Sequence, residues 1–137
     1  MTRINAGIDP RSLCDQHLLA EHREMKRIPN CVSSGRANLD NVPDSFRLGP
    51  GHVSFFYDKL GYLETRYKAV RDECLDRGFN ISDYSEAWDH VPDGLFRGWE
   101  PSVEDRRLVQ ERIEARLGTM KTKPSWSRSR KETRSEQ

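Results

Sequence analysis

Residues 51–78 read GHVSFFYDKLGYLETRYKAVRDECLDRG and carry one continuous apolar stripe. Its members recur at spacings of four and three residues, which is the period of one face of an α-helix. They are Phe56, Leu60, Leu63, Tyr67, Val70 and Cys74. Glycine is a common residue just after the last helical turn, so Gly78 predicts the end of this helix. The stretch therefore predicts a long helix, beginning near Gly51, with one face in the core.

A second helix is predicted on the N-terminal side of this stretch. Asp9 is a good N-cap residue, and Pro10 follows it at the first helical position, where proline is favoured. The residue before a proline avoids helical backbone angles, so the helix should end at about Ile28, before Pro29. Residues 9–28 are therefore expected to form the first helix.

A third helix is predicted near the C-terminus. Ser102 can cap it, and Asp105 can return a hydrogen bond to the backbone of Ser102. Gly118 is the expected stop. Its apolar side consists of Leu108, Val109, Ile113 and Leu117.

The segments between these helices, residues 29–50 and 79–101, contain prolines and glycines and no clean alternation of apolar and polar residues. We expect ordered loops there, the second held to the core by Trp88, Phe96 and Trp99. Residues 127–137 are poor in apolar side chains, which predicts a disordered basic tail. The chain is thus predicted to be all-α, a compact single domain of three main helices with long ordered loops over residues 1–126.

Composition narrows the class of protein. Of 137 residues, 34% are apolar and 33% are charged, and the first thirty residues contain no apolar run typical of a signal peptide. No segment is apolar enough to span a membrane.

The three cysteines form neither a zinc pattern nor a disulfide framework, so we expect reduced thiols in a cytoplasmic protein without a metal. Residues 121–137 carry a net charge of +4, which suits nucleic acid as partner or a solubilising tail.

The first predicted helix has a polar face that could act on a phosphate-bearing substrate. At about 100° per residue, Gln16, Arg23, Glu24 and Arg27 lie away from the apolar side. Two arginines beside a carboxamide and a carboxylate can hold phosphates and present one acid or base. The alternative is a solvated face with intrahelical ion pairs, since Glu24 precedes Arg27 by three residues.

The N-terminus offers a nucleophile if Met1 is removed. Thr2 would then carry the α-amine, whose pKa of about 7.7–8 lies far below that of a lysine. Such an amine is substantially neutral near pH 7 and can attack without being buried. This expectation depends on the loss of Met1.

Several runs in the chain resemble the pyrimidine-dimer DNA glycosylases of the phage endonuclease V family. The runs are MTRIN (1–5), DQHL (15–18), AEHRE (20–24), LGPGHVSFFYDKL (48–60), ECL (73–75) and RGFNI (77–81). The resemblance implies a compact all-α domain with three main helices. It also implies a glycosylase, with an associated AP lyase activity, that acts at ultraviolet-induced cyclobutane pyrimidine dimers.

The resemblance further implies roles for individual residues. The amine of Thr2 would attack the deoxyribose C1′ and form a Schiff base, and Glu24 would assist and promote β-elimination. DNA would be bound around the site by Arg3, Gln16, Arg23 and Arg27. The family implies no metal and no cofactor, and its partner is double-stranded DNA containing a lesion. We expect no obligatory protein partner and a monomer, which is the default for a small, charged domain.

The C-terminus departs from the family pattern and leaves alternatives open. Trp126 is followed by Ser127 and a basic run, which leaves this tryptophan as the aromatic candidate for stacking on DNA bases. Packing of Trp126 against the helices is the other possibility. The same amine chemistry could act on another damaged base. A catalytically silent DNA-binding protein is the third reading, which retention of Met1 would favour.

Overall fold

Five α-helices and four short 3-10 helices make up the regular structure of residues 2–128, the part of the chain that this computed structural model describes. The α-helices are α1 (Asp15–Met25), α2 (Arg27–Ser33), α3 (His52–Phe55), α4 (Leu60–Asp76) and α5 (Val103–Leu117). The 3-10 helices are Pro10–Ser12, Phe56–Asp58, Ser85–Trp88 and Asp93–Leu95. The described residues contain no β-strand, so the predicted all-α class is confirmed.

The apolar stripe of residues 56–74 forms the centre of the core. All six of its predicted members are buried, and α4 packs against α1. The helix itself is not continuous, because the backbone of Lys59 leaves the helical region at φ −125° and ψ 40°. The end is as predicted: Gly78 has a φ of 86°, and the Phe79 N–H donates to the Cys74 carbonyl at 3.0 Å. These two features form the glycine-dependent Schellman cap.

The first predicted helix, over residues 9–28, was wrong at both ends. Asp9 does cap a helix, but only the 3-10 turn Pro10–Ser12, and extended backbone at Leu13 and Cys14 separates that turn from α1. Pro29 does not end the helix. It occupies the third position of α2, where a backbone N–H would have no partner within the helix. Helix therefore extends to Ser33, into the segment predicted as a loop.

Helix α5 follows its local signals closely. Ser102 Oγ accepts from the Asp105 N–H at 3.0 Å, and Asp105 Oδ2 accepts from the Ser102 N–H at 3.0 Å, which completes the predicted capping box. Gly118 is the C-cap residue. Val109 and Ile113 are buried, so the predicted apolar side faces the core.

The second loop is held down by two of the three predicted aromatic residues. Trp88 is buried, and the Trp99 ring packs against aromatic neighbours with centroid distances of 5.0–5.8 Å. These neighbours are Phe46, Phe55, Phe56 and Tyr62. Phe96 is 37% exposed, so it contributes less to this anchoring than the sequence suggested. The loop backbone approaches α4 so closely that a Cβ on Gly61 would lie 3.0 Å from the Arg97 carbonyl oxygen.

Residues 121–127, the C-terminal strap, cross the start of α1. Asp15 receives hydrogen bonds from the Ser125 hydroxyl at 2.8 Å and from the Ser127 backbone N–H at 3.0 Å. Arg77 closes an ion pair with the same carboxylate at 2.9 Å. The strap is therefore ordered through Ser127. The predicted disorder of the tail falls mainly on residues 129–137, which lie outside the described residues, so it stays a prediction.

Candidate active site

The N-terminal segment, residues 2–6, is fixed by side chains from three helices. The Ile4 N–H donates to His52 Nε2 of α3 at 3.0 Å, and the Asn5 N–H donates to Glu21 Oε2 of α1 at 3.2 Å. Arg112 of α5 donates through Nη2 to the Ile4 carbonyl at 3.1 Å and to Asn5 Oδ1 at 3.2 Å. Ile4 and Asn5 are buried. Thr2 and Arg3 therefore emerge from a segment whose position the core determines.

Glu21 connects this segment to the interior of the fold. Its carboxylate accepts from Arg66 Nε at 2.9 Å and Arg66 Nη2 at 3.0 Å, and also from Asn5 Nδ2 at 3.0 Å. The Glu21 and Arg66 side chains are 1% and 6% exposed. Buried charges are tolerated when they are paired and fully hydrogen-bonded, as here. This network ties α1, α4 and the N-terminal segment together.

His52 is a structural residue at the edge of the site. Besides accepting from Ile4, its ring donates through Nδ1 to the Arg47 carbonyl at 2.9 Å. This arrangement needs the neutral ring, with its proton on Nδ1. Burial lowers the pKa of His52 to about 4, so the ring is neutral near pH 7. The cap of α3 is Gly51, whose φ of 88° favours glycine.

Two cavities adjoin the N-terminal segment. The Glu24 cavity, about 340 Å³, lies between α1 and α5 and is lined by Glu24 and Arg23 among others. The Thr2 cavity, about 560 Å³, lies between Thr2 and the turn that opens α3. Arg3 and Arg112 line both cavities. The two residues predicted to do chemistry, Thr2 and Glu24, thus lie in neighbouring cavities that share a wall.

Glu24 keeps an accessible carboxylate beside two arginines. Its side chain is 16% exposed, and Oε1 lies 3.8 Å from Arg23 Nη2 and 4.0 Å from Arg27 Nη1. Both arginines are more than half exposed, and ion pairs of this length contribute little. The ion pairs that the sequence suggested are therefore present, but they are long. Both arginines are exposed enough to bind another anion.

The wall of the Glu24 cavity has an excess of positive charge. Arg3, Arg112 and Arg116 line it, and none of them has a carboxylate within 4.0 Å among residues 2–128. Burial lowers the pKa of Arg3, and the charge of Arg116 lowers it further. Burial likewise lowers the pKa of His17, with Arg116, Arg3 and Arg112 adding to the effect. A cavity of this charge suits an anion such as a DNA phosphate.

His17 lines the same cavity. Its Nε2 atom is buried and has no hydrogen-bond partner within the described part of the chain. Residues 2–128 contain no group of three or more His, Cys, Asp or Glu side chains that could hold a metal ion. They also contain no helix long and apolar enough to cross a membrane.

The other predicted DNA-binding residues, Gln16 and Trp126, line neither of the two cavities. Gln16 is engaged by the C-terminal strap: its Nε2 donates to the Lys123 carbonyl at 3.1 Å, and its Oε1 accepts from the Ser125 N–H at 3.2 Å. Trp126 donates from Nε1 to the Ser12 carbonyl at 3.1 Å, yet the residue is 52% exposed. Trp126 is thus anchored by its edge and leaves part of its ring accessible.

Sequence reasoning missed the residues that position this site. Glu21 belongs to a quoted run but received no role, because its partners Asn5 and Arg66 are distant in sequence. Arg112 and Arg116 were overlooked although they are four residues apart and therefore share one face of α5, next to the buried Ile113. That spacing was the available signal.

The N-terminal part of the chain matches a known protein family. The profile of a family described as pyrimidine dimer DNA glycosylase matches residues 1–86. The matched region contains the N-terminal segment, α1, His52 and α4, and so includes both Thr2 and Glu24. Because the match covers more than half of the 137 residues, the chain belongs to the pyrimidine dimer DNA glycosylase family.

Proposed function

We propose that this DNA glycosylase cleaves an N-glycosidic bond at cyclobutane pyrimidine dimers and then nicks the strand as an AP lyase. The observation that carries the proposal is the placement of Thr2 and Glu24 in adjoining cavities that share Arg3. A nucleophile on one side of a deoxyribose and a carboxylate on the other would both reach its C1′–C2′ edge. Double-stranded DNA containing a lesion is the substrate, and the protein acts on it in the cytoplasm as a monomer without a cofactor.

The chemistry begins with the α-amine of Thr2, after loss of Met1. Its nitrogen forms a bond to C1′ while the N-glycosidic bond breaks and its electron pair leaves with the base. The nitrogen then loses a proton and forms a double bond to C1′, while the C1′–O4′ bond breaks and O4′ takes up a proton; the product is a Schiff base. The Glu24 carboxylate stabilises the positive charge that develops on the sugar during this step.

Strand cleavage follows from the acidity of the Schiff base. The iminium group acidifies the C2′–H, and Glu24 takes that proton as a general base. The electrons form the C2′–C3′ double bond, and the C3′–O bond breaks with departure of the phosphate. A carboxylate that is partly exposed and lies beside the sugar site suits this role.

DNA is held by the cations around the two cavities. Arg3, Arg23 and Arg27 bind phosphates and set the register of the duplex without reading sequence. Gln16 contributes by holding the strap next to the site, in addition to any contact of its own with DNA. The exposed ring of Trp126 stacks on a base near the lesion.

Borohydride trapping on DNA with one defined dimer tests the proposal. We expect a covalent adduct whose peptide map assigns the DNA to Thr2, and the activity should persist in a metal chelator. If an adduct forms on DNA carrying an oxidised base and none forms on the dimer, the substrate is the oxidised base and not the dimer. DNA binding without any adduct, in a protein that retains Met1, would support a silent DNA-binding protein.

Glu24→Gln tests the role of the carboxylate. We expect unchanged DNA binding and a loss of strand cleavage of about 10²–10⁴-fold, the usual contribution of a general acid or base. Glu64→Gln is a matched control, because Glu64 forms an ion pair with Lys68 on the exposed side of α4. If Glu24→Gln nicks DNA at the same rate as the control, Glu24 is not the general base.

A further inference from the structure

The C-terminal strap is attached to the first turn of α1 by polar contacts. The Asp15 carboxylate accepts from the Ser125 hydroxyl at 2.8 Å, from the Ser127 hydroxyl at 2.7 Å and from the Ser127 N–H at 3.0 Å. The Asp15 N–H in turn donates to the Ser125 carbonyl at 2.7 Å. Gln16 adds its two hydrogen bonds to the strap backbone. One carboxylate therefore holds the residues on both sides of Trp126.

Arg77, at the C-terminal end of α4, holds both groups that receive the strap. Its Nη1 forms an ion pair with Asp15 at 2.9 Å, and its Nη2 donates to two carbonyls of the turn Pro10–Ser12, each at 3.2 Å. The last carbonyl of that turn, on Ser12, accepts from the Trp126 indole N–H at 3.1 Å. The Arg77 side chain is only 2% exposed, so a core residue sets the position of the strap.

Asp15 acts on the strap as a charged group. Burial raises its pKa, but the hydrogen bonds from Ser127, Ser125 and Arg77 together lower it by more, so the pKa lies below its ordinary value. Hydrogen bonds to an ionised acceptor are stronger than those between neutral groups. The serines beside Trp126 are therefore held firmly near neutral pH.

Trp126 is held by its edge while much of its ring stays in water. The indole N–H and both neighbouring serines are hydrogen-bonded, yet the residue is 52% exposed. A tryptophan gains free energy when it is buried, and a mobile segment would let the ring pack against the protein. The strap instead restricts the ring to one orientation before any partner binds. This arrangement suits a platform on which a flat ring stacks.

The strap lies beside the proposed DNA-binding surface. A third cavity, of about 370 Å³, lies between Gln16 and residues 119–122, which lead into the strap. Arg116 lines both this cavity and the Glu24 cavity. A duplex that presents its lesion to the Glu24 cavity would therefore pass over the start of the strap, and a DNA base is the flat ring within reach of Trp126.

We propose that Asp15 is a positioning residue for lesion binding: by holding Ser125 and Ser127, it fixes the ring of Trp126 for stacking on a base near the damaged site. The inference rests on the proposed function, which gives Trp126 its stacking partner, and adds the residue that controls the orientation of the ring. Asp15 itself makes no contact with DNA. Its effect on affinity passes entirely through Trp126.

A double-mutant cycle separates this role from a general structural one. The probe is duplex DNA with one tetrahydrofuran abasic analogue, which cannot form a Schiff base. Trp126→Ala should weaken binding by about 5–150-fold, the range for one base stacked on an aromatic ring. Ser125→Ala and Ser127→Ala, made together, should weaken it by about 2–12-fold, because the ring must then be ordered on binding. In the Trp126→Ala protein, the two serine substitutions should have no further effect.

Ser33→Ala combined with Ser34→Ala is the matched control. These exposed serines donate to carbonyls three residues earlier, so the control should bind DNA like the wild type. Unchanged binding by the variant with both strap serines replaced would overturn the inference. An equal loss from those substitutions with and without the Trp126 ring would also overturn it.

Asp15→Asn provides a second measurement that does not depend on the serine substitutions. Hydrogen exchange at the Ser127 amide should accelerate, because that amide donates to the carboxylate. The accompanying loss of DNA affinity should vanish when Trp126→Ala is also present. A loss that persists without the Trp126 ring would assign Asp15 a purely structural role.

The two proposals fail in different ways. Absence of a trapped adduct in the wild-type protein, with the cycle showing the expected coupling, would remove the lyase mechanism and leave the role of Asp15. A normal adduct on Thr2 with additive effects in the cycle would remove only the present inference. Wild-type affinity in Trp126→Ala would remove the stacking role and the present inference together, while the adduct on Thr2 would still support the chemistry.

Discussion

Acidification should weaken the fold through His52, the residue that fixes the N-terminal segment from α3. Its pKa is about 4 in the folded protein, against an ordinary value of 6.5. The unfolded chain therefore binds the proton more readily, and acid favours unfolding. The stabilising contribution of the neutral ring is complete above pH 6.5 and is lost as the pH falls towards 4.

The expected magnitude follows from the difference between the two pKa values. Each pKa unit corresponds to about 1.4 kcal/mol, so a shift from 6.5 to about 4 gives about 3 kcal/mol in the free energy of unfolding. Burial also lowers the pKa of His17 and His22, which adds to the effect in the same direction. For a domain of this size, such a loss is a large fraction of total stability.

Urea denaturation of the wild-type protein and His52→Gln, at several pH values from 7 to 4, isolates this contribution. Carboxylates titrate in both proteins and cancel in the difference, so the stability advantage of the wild type should shrink by about 3 kcal/mol over this range. His90→Gln, a change at an exposed histidine, should give a curve parallel to the wild type. Parallel curves for the wild type and His52→Gln would refute a neutral, buried His52.

Two further substitutions test the contacts that position the site. Glu21→Gln leaves the Arg66 charge buried without an anion, so the free energy of unfolding should fall by about 3 kcal/mol or more, whereas Glu64→Gln at an exposed ion pair should cost less than about 1 kcal/mol. Urea denaturation measures both, and equal losses would contradict the importance of the buried pair. Gln16→Ala removes the acceptor of the Ser125 N–H, and hydrogen exchange at that amide should accelerate while stability falls by about 1 kcal/mol. Unchanged exchange at Ser125 would show that Gln16 does not hold the strap.

The parts of the fold that were predicted correctly depend on neighbours in sequence. The capping box of Ser102 and Asp105 and the glycine cap at Gly78 each involve contacts within a few residues, so their signals are complete in a short window. The errors at the first helix have a different origin. Pro29 is compatible with either the end of one helix or the first turn of another, and only the packing of α2 decides between them.

The same distinction applies to the site. Helical periodicity grouped Glu24 with Arg23 and Arg27, and both arginines do lie within 4.0 Å of the Glu24 carboxylate, although Arg27 belongs to α2. The anchors of the N-terminal segment could not be found in this way. Glu21 meets Arg66 across 45 residues, and Ile4 meets His52 across 48, separations at which periodicity carries no information.

An N-terminal amine has no side chain with which to reach a substrate, so only the backbone that follows it can position it. A nucleophilic amine at Thr2 would explain why Ile4, Asn5 and Ala6 are buried and why this segment contacts three helices. The proposed nucleophile would then depend less on the threonine side chain than on the anchors His52, Glu21 and Arg112. Two of these anchors lie within the family match, whereas Arg112 lies beyond it. We therefore expect the chemistry to reside in residues 1–86, with one anchor of the N-terminal segment supplied by α5.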